Sequence, residues 1–206
     1  MTRRVVLATA NPDKAREIAT ILGGEDLDLE LVARPSSVPE VEETGASLRE
    51  NARIKAQALV RATDTAALAD DTGLEVDPLG GAPGIRSARY AGDGASDADN
   101  VARLLAELAS LTRTTRTARF RTVVVLADPD GAELAAEGVV EGTISDAPRG
   151  SFGFGYDPVF QPAGAGGRTF AELGEDEKAA ISHRGRALRA LATRMRDAGA
   201  DPTRGD

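Results

Sequence analysis

The chain contains no cysteine and no tryptophan. Without cysteine there are no disulfide staples and no thiolate metal centres, so stability has to come from a packed core. At 206 residues, with 41% hydrophobic residues, the chain is long enough to build one. Long apolar runs are missing too. Nothing approaches the roughly 18 residues that span a bilayer, and the longest run, VVVLA at 123–127, has the length of a buried strand. The opening MTRRVVLATANPDK is basic at first, but its apolar stretch is too short for a signal peptide. These absences predict a cytoplasmic protein without a membrane span. Excess positive charge is also lacking. The net charge of −8 argues against a nucleic-acid-binding surface, which is usually broadly basic. A small phosphorylated ligand remains compatible, because a few cations and a metal ion can offset the negative field locally.

Lysine is scarce. Of 25 basic residues only Lys14, Lys55 and Lys178 are lysines, and the rest are arginines. A chain that otherwise uses arginine marks its lysines as candidates for sites needing a compact ammonium rather than a planar fork. Chance survival is the alternative, and the neighbours of each lysine decide between the two. Aromatic residues are scarce as well, yet Phe152, Phe154 and Tyr156 crowd into five positions.

The residue pattern predicts alternating strands and helices. A strand over 4–9 runs into a helix capped by Asn11, with Pro12 at its first position and Gly23–Gly24 at its end. A second strand falls near 28–33. Residues 34–46 form an acidic loop. Ser47 and Glu50 have capping-box spacing at the start of a helix over 47–62. A short strand over 66–70 leads into a glycine-rich stretch at 71–95. Next come a helix over 97–109 capped by Ser96, a short connection at 110–118, and a long hairpin turning at 128–131. A helical region extends to about 198, with a frayed tail over 199–206. This order implies an α/β fold with a mixed sheet in a single domain over 1–198. Within the helix over 47–62, Leu48, Ala52, Lys55 and Leu59 share one face. An unpaired ammonium on a core-facing stripe is costly. Lys55 therefore either reaches acids or an anionic ligand, or snorkels from the edge of the stripe.

Four sets of residues, drawn from five stretches, carry candidate chemistry. LATANPDK places Thr9, Asn11 and Lys14 at a strand-to-helix junction, which is either an ordinary capped turn or a phosphate site. PEVEETG supplies Glu40, Glu42 and Glu43, and ADDTG supplies Asp70 and Asp71 at a strand end. These are solvated acidic loops, or they are carboxylates for Mg²⁺, which binds few carboxylates and keeps water and phosphate oxygens as its other ligands. If the strand continues, the side chains of Asp70 and Asp71 diverge, one towards the site and one into the scaffold. FGFGYDP at 152–158 is a stacking wall or an apolar plug beside a turn. No helix follows its Gly-x-Gly, so it is not a dinucleotide fingerprint. EKAAISHRGRAL holds Lys178, Arg184 and the sole histidine, His183. With Ser182 as cap, His183 and Arg184 fall in a first helical turn, either converging on a polar ligand or forming an exposed basic helix start.

Taken in order, LATANPDK, EETGASLRENARIKA, ADDTGLEVDPLGGAPGIRSARYAG, FGYDPVF and EKAAISHRG resemble the inosine triphosphate pyrophosphatase family over about residues 4–195. The resemblance implies an elongated mixed sheet flanked by helices, two lobes around an active-site cleft, and a homodimer. It implies Mg²⁺-dependent hydrolysis of ITP, dITP or XTP by water attack at the α-phosphorus, releasing the monophosphate and pyrophosphate. Carried onto this chain, Thr9, Ala10, Asn11, Pro12, Asp13 and Lys14 hold the phosphates. Asp71 is the metal ligand and base, Glu42 or Glu43 assists the metal, Lys55 lies beside the phosphates and Thr72 touches substrate. Phe154, Gly155, Tyr156 and Asp157 line the base pocket, and Lys178, His183 and Arg184 read the purine oxo groups. Two departures are small: Ala10 stands where glycine is common, and Thr72 where serine is common. A Maf-type enzyme acting on modified pyrimidine triphosphates is the alternative, and the SHR stretch at 182–184 argues against it.

Overall fold

A computed structural model describes residues 2–111 and 115–199. Most of the expected tail, and part of the connection expected at 110–118, lie outside these residues. The elements are β1 (Arg3–Leu7), α1 (Pro12–Gly23), β2 (Leu29–Val32), α2 (Leu48–Thr63), β3 (Ala66–Val76), β4 (Pro83–Gly84), α3 (Asp97–Ala109), β5 (Thr117–Ala127), β6 (Glu133–Ile144), β7 (Phe160–Pro162), α4 (Glu175–Ile181) and α5 (His183–Gly199). Short 3₁₀ turns cover Asp77–Leu79, Ser87–Arg89 and Phe170–Glu172.

The described strands form one mixed sheet in the order β2-β1-β3-β5-β6-β7, with β4 added to β3. β1 pairs in parallel with β2 and β3, whereas β3–β4 and β6–β7 are antiparallel. Of the parallel strands, β1 and the first half of β3 are covered on both faces, whereas β2 stays partly exposed. Val5, Val6 and Leu7 of β1, and every residue from Ala66 to Asp71 of β3, are buried, which is why they read as continuous runs without alternation.

The chain divides into two compact units. The first comprises the residues up to 71, 122–138 and those from 184 onward; the second comprises 72–121 and 139–183. β3, β5 and β6 contribute residues to both. In the first unit, Leu48, Ala52, Ala56 and Leu59 of α2 pack on Val6, Ala67, Ala69, Val123 and Val125. The small residues let the helix lie close to the sheet, while Leu59 contributes about 1.5–3 kcal/mol by burial. In the second unit, Val101, Leu104 and Leu108 of α3 join Phe120, Phe160 and Phe170. Phe120 meets Phe160 edge-on at 4.7 Å, a favoured aromatic geometry.

Several elements follow the sequence pattern closely. Asn11 caps α1 and Ser47 caps α2. The Ser47 box is displaced by one residue: Glu50 Oε2 accepts from the Ala46 amide. The hairpin turns where expected, closed by the Asp128 amide donating to the Ala132 carbonyl at 2.9 Å. One expectation is corrected. The strand expected over 66–70 continues to Val76, because Leu74 and Glu75 pair with Gly84 and Pro83 of β4. ADDTG therefore lies within a strand, not at its end. The C-terminal helical region divides into two helices at Ser182, the expected cap, whose backbone is extended at φ −67° and ψ 158°, so that His183 and Arg184 open the last helix.

β7 approaches β6 so closely that a Cβ at Gly142 would lie 2.3 Å from the Gln161 carbonyl oxygen and 2.7 Å from the Phe160 ring. Gly142→Ala is expected to destabilise the protein by about 1–3 kcal/mol. Urea denaturation reads this directly, and an unchanged midpoint would contradict the β6–β7 register.

Candidate active site

In the first unit, the start of α1 is built by two short polar side chains. Asn11 Oδ1 accepts from the amides of Asp13 (2.8 Å) and Lys14 (3.2 Å), and Thr9 Oγ1 accepts from the Asn11 amide (3.1 Å). Pro12 takes the first helical position, where its missing N–H costs nothing. Ala10 and Pro12 are exposed. Lys14 extends from this turn to place Nζ 3.4 Å from Asp70 Oδ2.

Asp70 and Asp71 are consecutive on β3, so their side chains leave opposite faces of the strand. Asp70 is enclosed, and its Oδ2 accepts from Arg184 Nε (3.2 Å) and Nη2 (3.1 Å). Arg184 Nη1 also donates to Glu17. Burial alone would push the Asp70 carboxyl up, but Lys14, Arg184 and Lys55 together hold it well below the ordinary aspartate value of 3.8.

Asp71 meets different partners. Lys55 Nζ donates to its Oδ1 at 2.9 Å and to Glu43 Oε1 at 2.8 Å. Asn51 Nδ2 donates to Asp71 Oδ2 at 3.3 Å, and Asn51 Oδ1 accepts from the Gly45 amide at 2.8 Å. Burial raises the Asp71 carboxyl, with Lys55 opposing the rise and Glu43 adding to it. Lys55 moves in the same direction for another reason: burial disfavours its charge, but Asp71, Asp70 and Glu43 more than offset that. One ammonium serves several carboxylates, whereas Asp71 shares its ammonium with Glu43. That difference raises both partners of a single ion pair.

The core-facing stripe of α2 is Leu48, Ala52, Ala56 and Leu59, with Lys55 beside it, turned towards the acids. Of the two candidate acids, Glu43 is half-buried on Lys55 and Glu42 is exposed. Thr72 is half-buried on β3. Among the described residues, no three acidic or histidine side chains converge into a ready-made metal cage. Glu43 and Asp71, gathered from two elements around one ammonium, are the two carboxylates here that could take part in holding a cation.

In the second unit, Asp157 organises the aromatic stretch. Its Oδ2 accepts from the Phe154 amide (2.9 Å) and from Lys178 Nζ (2.7 Å). Lys178 also lies 4.8 Å from the centre of the Phe154 ring, within cation–π range. Asp97 Oδ2 accepts from the Gly155 amide at 2.7 Å. His183 is buried and stacks on Phe120 at 4.4 Å, with the rings 16° from parallel.

The profile of the Ham1 family matches residues 5–194. The chain belongs to the Ham1 family. It is 48% identical to the dITP/XTP pyrophosphatase of Streptomyces avermitilis over 196 residues, covering 94% of this chain and 98% of the relative. It is 43% identical to the dITP/XTP pyrophosphatase of Bacillus subtilis over 190 residues, 92% of this chain and 96% of that one. Among solved structures, the HAM1 protein of Coxiella burnetii superposes with a TM-score of 0.85 at 42% identity, covering 95% of this chain and 99% of its own.

The structure brings Lys14, Glu43, Lys55, Asp70 and Asp71 into one polar cluster, as a shared site requires. It separates others. Phe152, Phe154 and Tyr156 form no single wall: Phe152 is 60% exposed, Phe154 is half-buried under Lys178, and Tyr156 is in the core with its hydroxyl donating to the Ser87 carbonyl. Arg184, which the resemblance places with His183 at the purine, donates to Asp70 and Glu17. Asn51 and Glu17 escaped the sequence reading. The one available signal was an asparagine one helical turn before Lys55, beside an otherwise apolar stripe.

Asp70→Asn leaves Arg184 buried beside a neutral partner. It is expected to cost about 3–5 kcal/mol at pH 7. Because the folded-state carboxyl lies below its ordinary value, the stabilisation is fully present above about pH 4 and is lost as pH falls towards the folded value. The deficit between variant and parent should therefore shrink on acidification below that point, as read by urea denaturation across pH. A deficit independent of pH would contradict the ion network.

Proposed function

We propose that this chain is a nucleoside triphosphate pyrophosphatase that uses Mg²⁺ to hydrolyse ITP, dITP and XTP to the monophosphate and pyrophosphate, clearing non-standard purines from the nucleotide pool. The observation that carries the reading is the Lys55 ammonium held between Glu43 and Asp71, with Lys14 on the neighbouring Asp70. Support also comes from Ham1 membership over nearly the whole chain and from relatives named dITP/XTP pyrophosphatases.

In this reading Lys14, at the turn from Thr9 through Ala10, Asn11, Pro12 and Asp13, takes the charge of the outer phosphates, and Lys55 lies beside the phosphate under attack. Glu43 and Asp71 would hold Mg²⁺, and the ion would supply neutralisation of phosphate charge and polarisation of the phosphorus. Asp71 accepts a proton from water as the water oxygen bonds to the α-phosphorus. The bond from that phosphorus to the α–β bridging oxygen breaks, and pyrophosphate leaves. Thr72, next on β3, contacts substrate.

The purine is taken by Phe154, Gly155, Tyr156 and Asp157 with Lys178 and His183. Donors there favour a 6-oxo purine over adenine, whose 6-amino group is itself a donor. Asp157 and Tyr156 act from below the surface by fixing this stretch, because both are buried. The Maf-type alternative is not favoured, since the relatives bear a purine-nucleotide name. The net charge of −8 fits an enzyme of free nucleotides rather than nucleic acid. The protein is proposed to work in the cytoplasm as a homodimer.

A nucleotide panel with Mg²⁺ tests the reading. Pyrophosphate and the monophosphate should appear from ITP, dITP and XTP, with little from ATP or GTP. Release of orthophosphate and IDP would refute the bond assignment, and tight ITP binding without turnover would indicate a sensor. Asp71→Asn should lower kcat by about 10²–10⁴-fold while the fold, read by circular dichroism, persists. Near-normal turnover would remove Asp71 from its role.

A further inference from the structure

Asn51 is fully buried, and its amide is engaged at both ends. A buried amide left unpaired is costly, so its orientation is fixed by chemistry. The oxygen must face the Gly45 N–H and the nitrogen must face the Asp71 carboxylate, because the flipped amide would set donor on donor and acceptor on acceptor. Asn51 stands four residues before Lys55 on α2, so the two side chains rise from neighbouring turns of one helix face. They take separate oxygens of the same carboxylate: Lys55 donates to Oδ1 and Asn51 to Oδ2.

The other end of the amide reaches the acidic loop. A Cβ on Gly45 would lie 2.7 Å from Asn51 Oδ1 and 2.7 Å from Glu50 Cβ, so the loop passes as close to the helix as a glycine permits. Two residues earlier in that loop, Glu43 meets Lys55. One buried side chain thus ties together the two chain segments that present Glu43 and Asp71.

We propose that Asn51 is a positioning residue for the pyrophosphatase reaction. By holding Asp71 Oδ2 against the pull of Lys55 on Oδ1, it fixes the rotation of the carboxylate that receives the water proton. An aspartate carboxyl otherwise turns in a broad torsional well, and a poorly aimed base loses rate without losing substrate affinity. This rests on the reading of Asp71 as the base.

The test separates the two ends of the amide and uses ITP as substrate. Asn51→Ala removes both hydrogen bonds. Asn51→Asp keeps an acceptor for Gly45 but offers Asp71 no donor and adds a like charge. Hydrogen exchange at the Gly45 amide, measured on the metal-free protein, reports the loop clamp independently of turnover. The expected result is a fall in kcat of about 10–100-fold in both variants, the range typical of groups that orient a site's ligands, with KM for ITP changed by less than about twofold. Gly45 protection should be lost in the alanine variant and kept in the aspartate variant. Asn51→Asp with near-parental kcat, alongside an inactive Asp71→Asn, would reduce Asn51 to a loop clamp and overturn the proposal. A loss of rate carried by KM would overturn it as well. If Asp71→Asn itself turned over normally, the assignment of the base would fail first. Should the alanine variant not fold, the aspartate variant decides, because its clamp to Gly45 remains.

Discussion

The first unit is organised around a single ammonium that has left bulk water. Burial disfavours the charge on Lys55, and a lone buried ammonium on α2 would oppose the packing of that helix. Asp71 and Glu43 remove the conflict by meeting it at hydrogen-bond distance from two separate segments. The consequence reaches beyond the pair. The acidic loop before α2 has almost no regular structure of its own, yet Glu43 is drawn onto Lys55, the Gly45 amide onto Asn51 and the Ala46 amide onto Glu50. Charge neutralisation and helix capping together order a segment that hydrophobic burial alone would leave unspecified.

The same ammonium separates the chemistry of two adjacent acids. Asp70 and Asp71 differ by one step along a strand, and the period of two sends them to opposite faces. Asp70 receives a guanidinium fork and a lysine, and its carboxyl is held low. Asp71 receives half of one lysine and an amide, and its carboxyl is raised. The two environments push neighbouring carboxyls apart, so that one acid braces the scaffold and the other has its charge only partly compensated.

What the sequence made legible is what local chemistry decides. Asn11 followed by Pro12, Ser47 as a helix cap, and the Asp128–Gly131 turn each carry their cause within a few residues, and each formed as read, although Glu50 closes on the Ala46 amide rather than on that of Ser47. β3 was read too short because Asp-Asp-Thr-Gly has the composition of a turn, while the reason it stays extended is its pairing with residues near Gly84. The divergence of Asp70 and Asp71 followed from strand alternation alone. The partnership of Arg184 with Asp70 was not legible, because a first turn of helix says nothing about a residue 114 positions away. The aromatic stretch was read as a stacking wall or an apolar plug, and the structure divides it: Gly153 and Gly155 bend the backbone through positive φ, Tyr156 turns into the core and Phe152 stays in water.

The scarcity of lysine acquires a physical reason once all three partners are known. Lys14 meets Asp70, Lys55 meets Asp71 and Glu43, and Lys178 meets Asp157, so each lysine rests on a buried aspartate. An ammonium donates in three directions from one small atom, which lets Lys55 bridge carboxylates arriving from different elements and lets Lys178 contact Asp157 while lying over the Phe154 ring. A guanidinium fork fixes its donors in one plane, and the single fully buried arginine among the described residues, Arg184, is used where a plane suits, with two nitrogens on one oxygen of Asp70 and a third on Glu17. Replacing Lys55 by arginine would preserve the charge but spread over a plane the donors that Glu43 and Asp71 now share at one atom. The choice between the two cations in this chain is therefore one of geometry, with the point charge reserved for positions where acids converge from several sides.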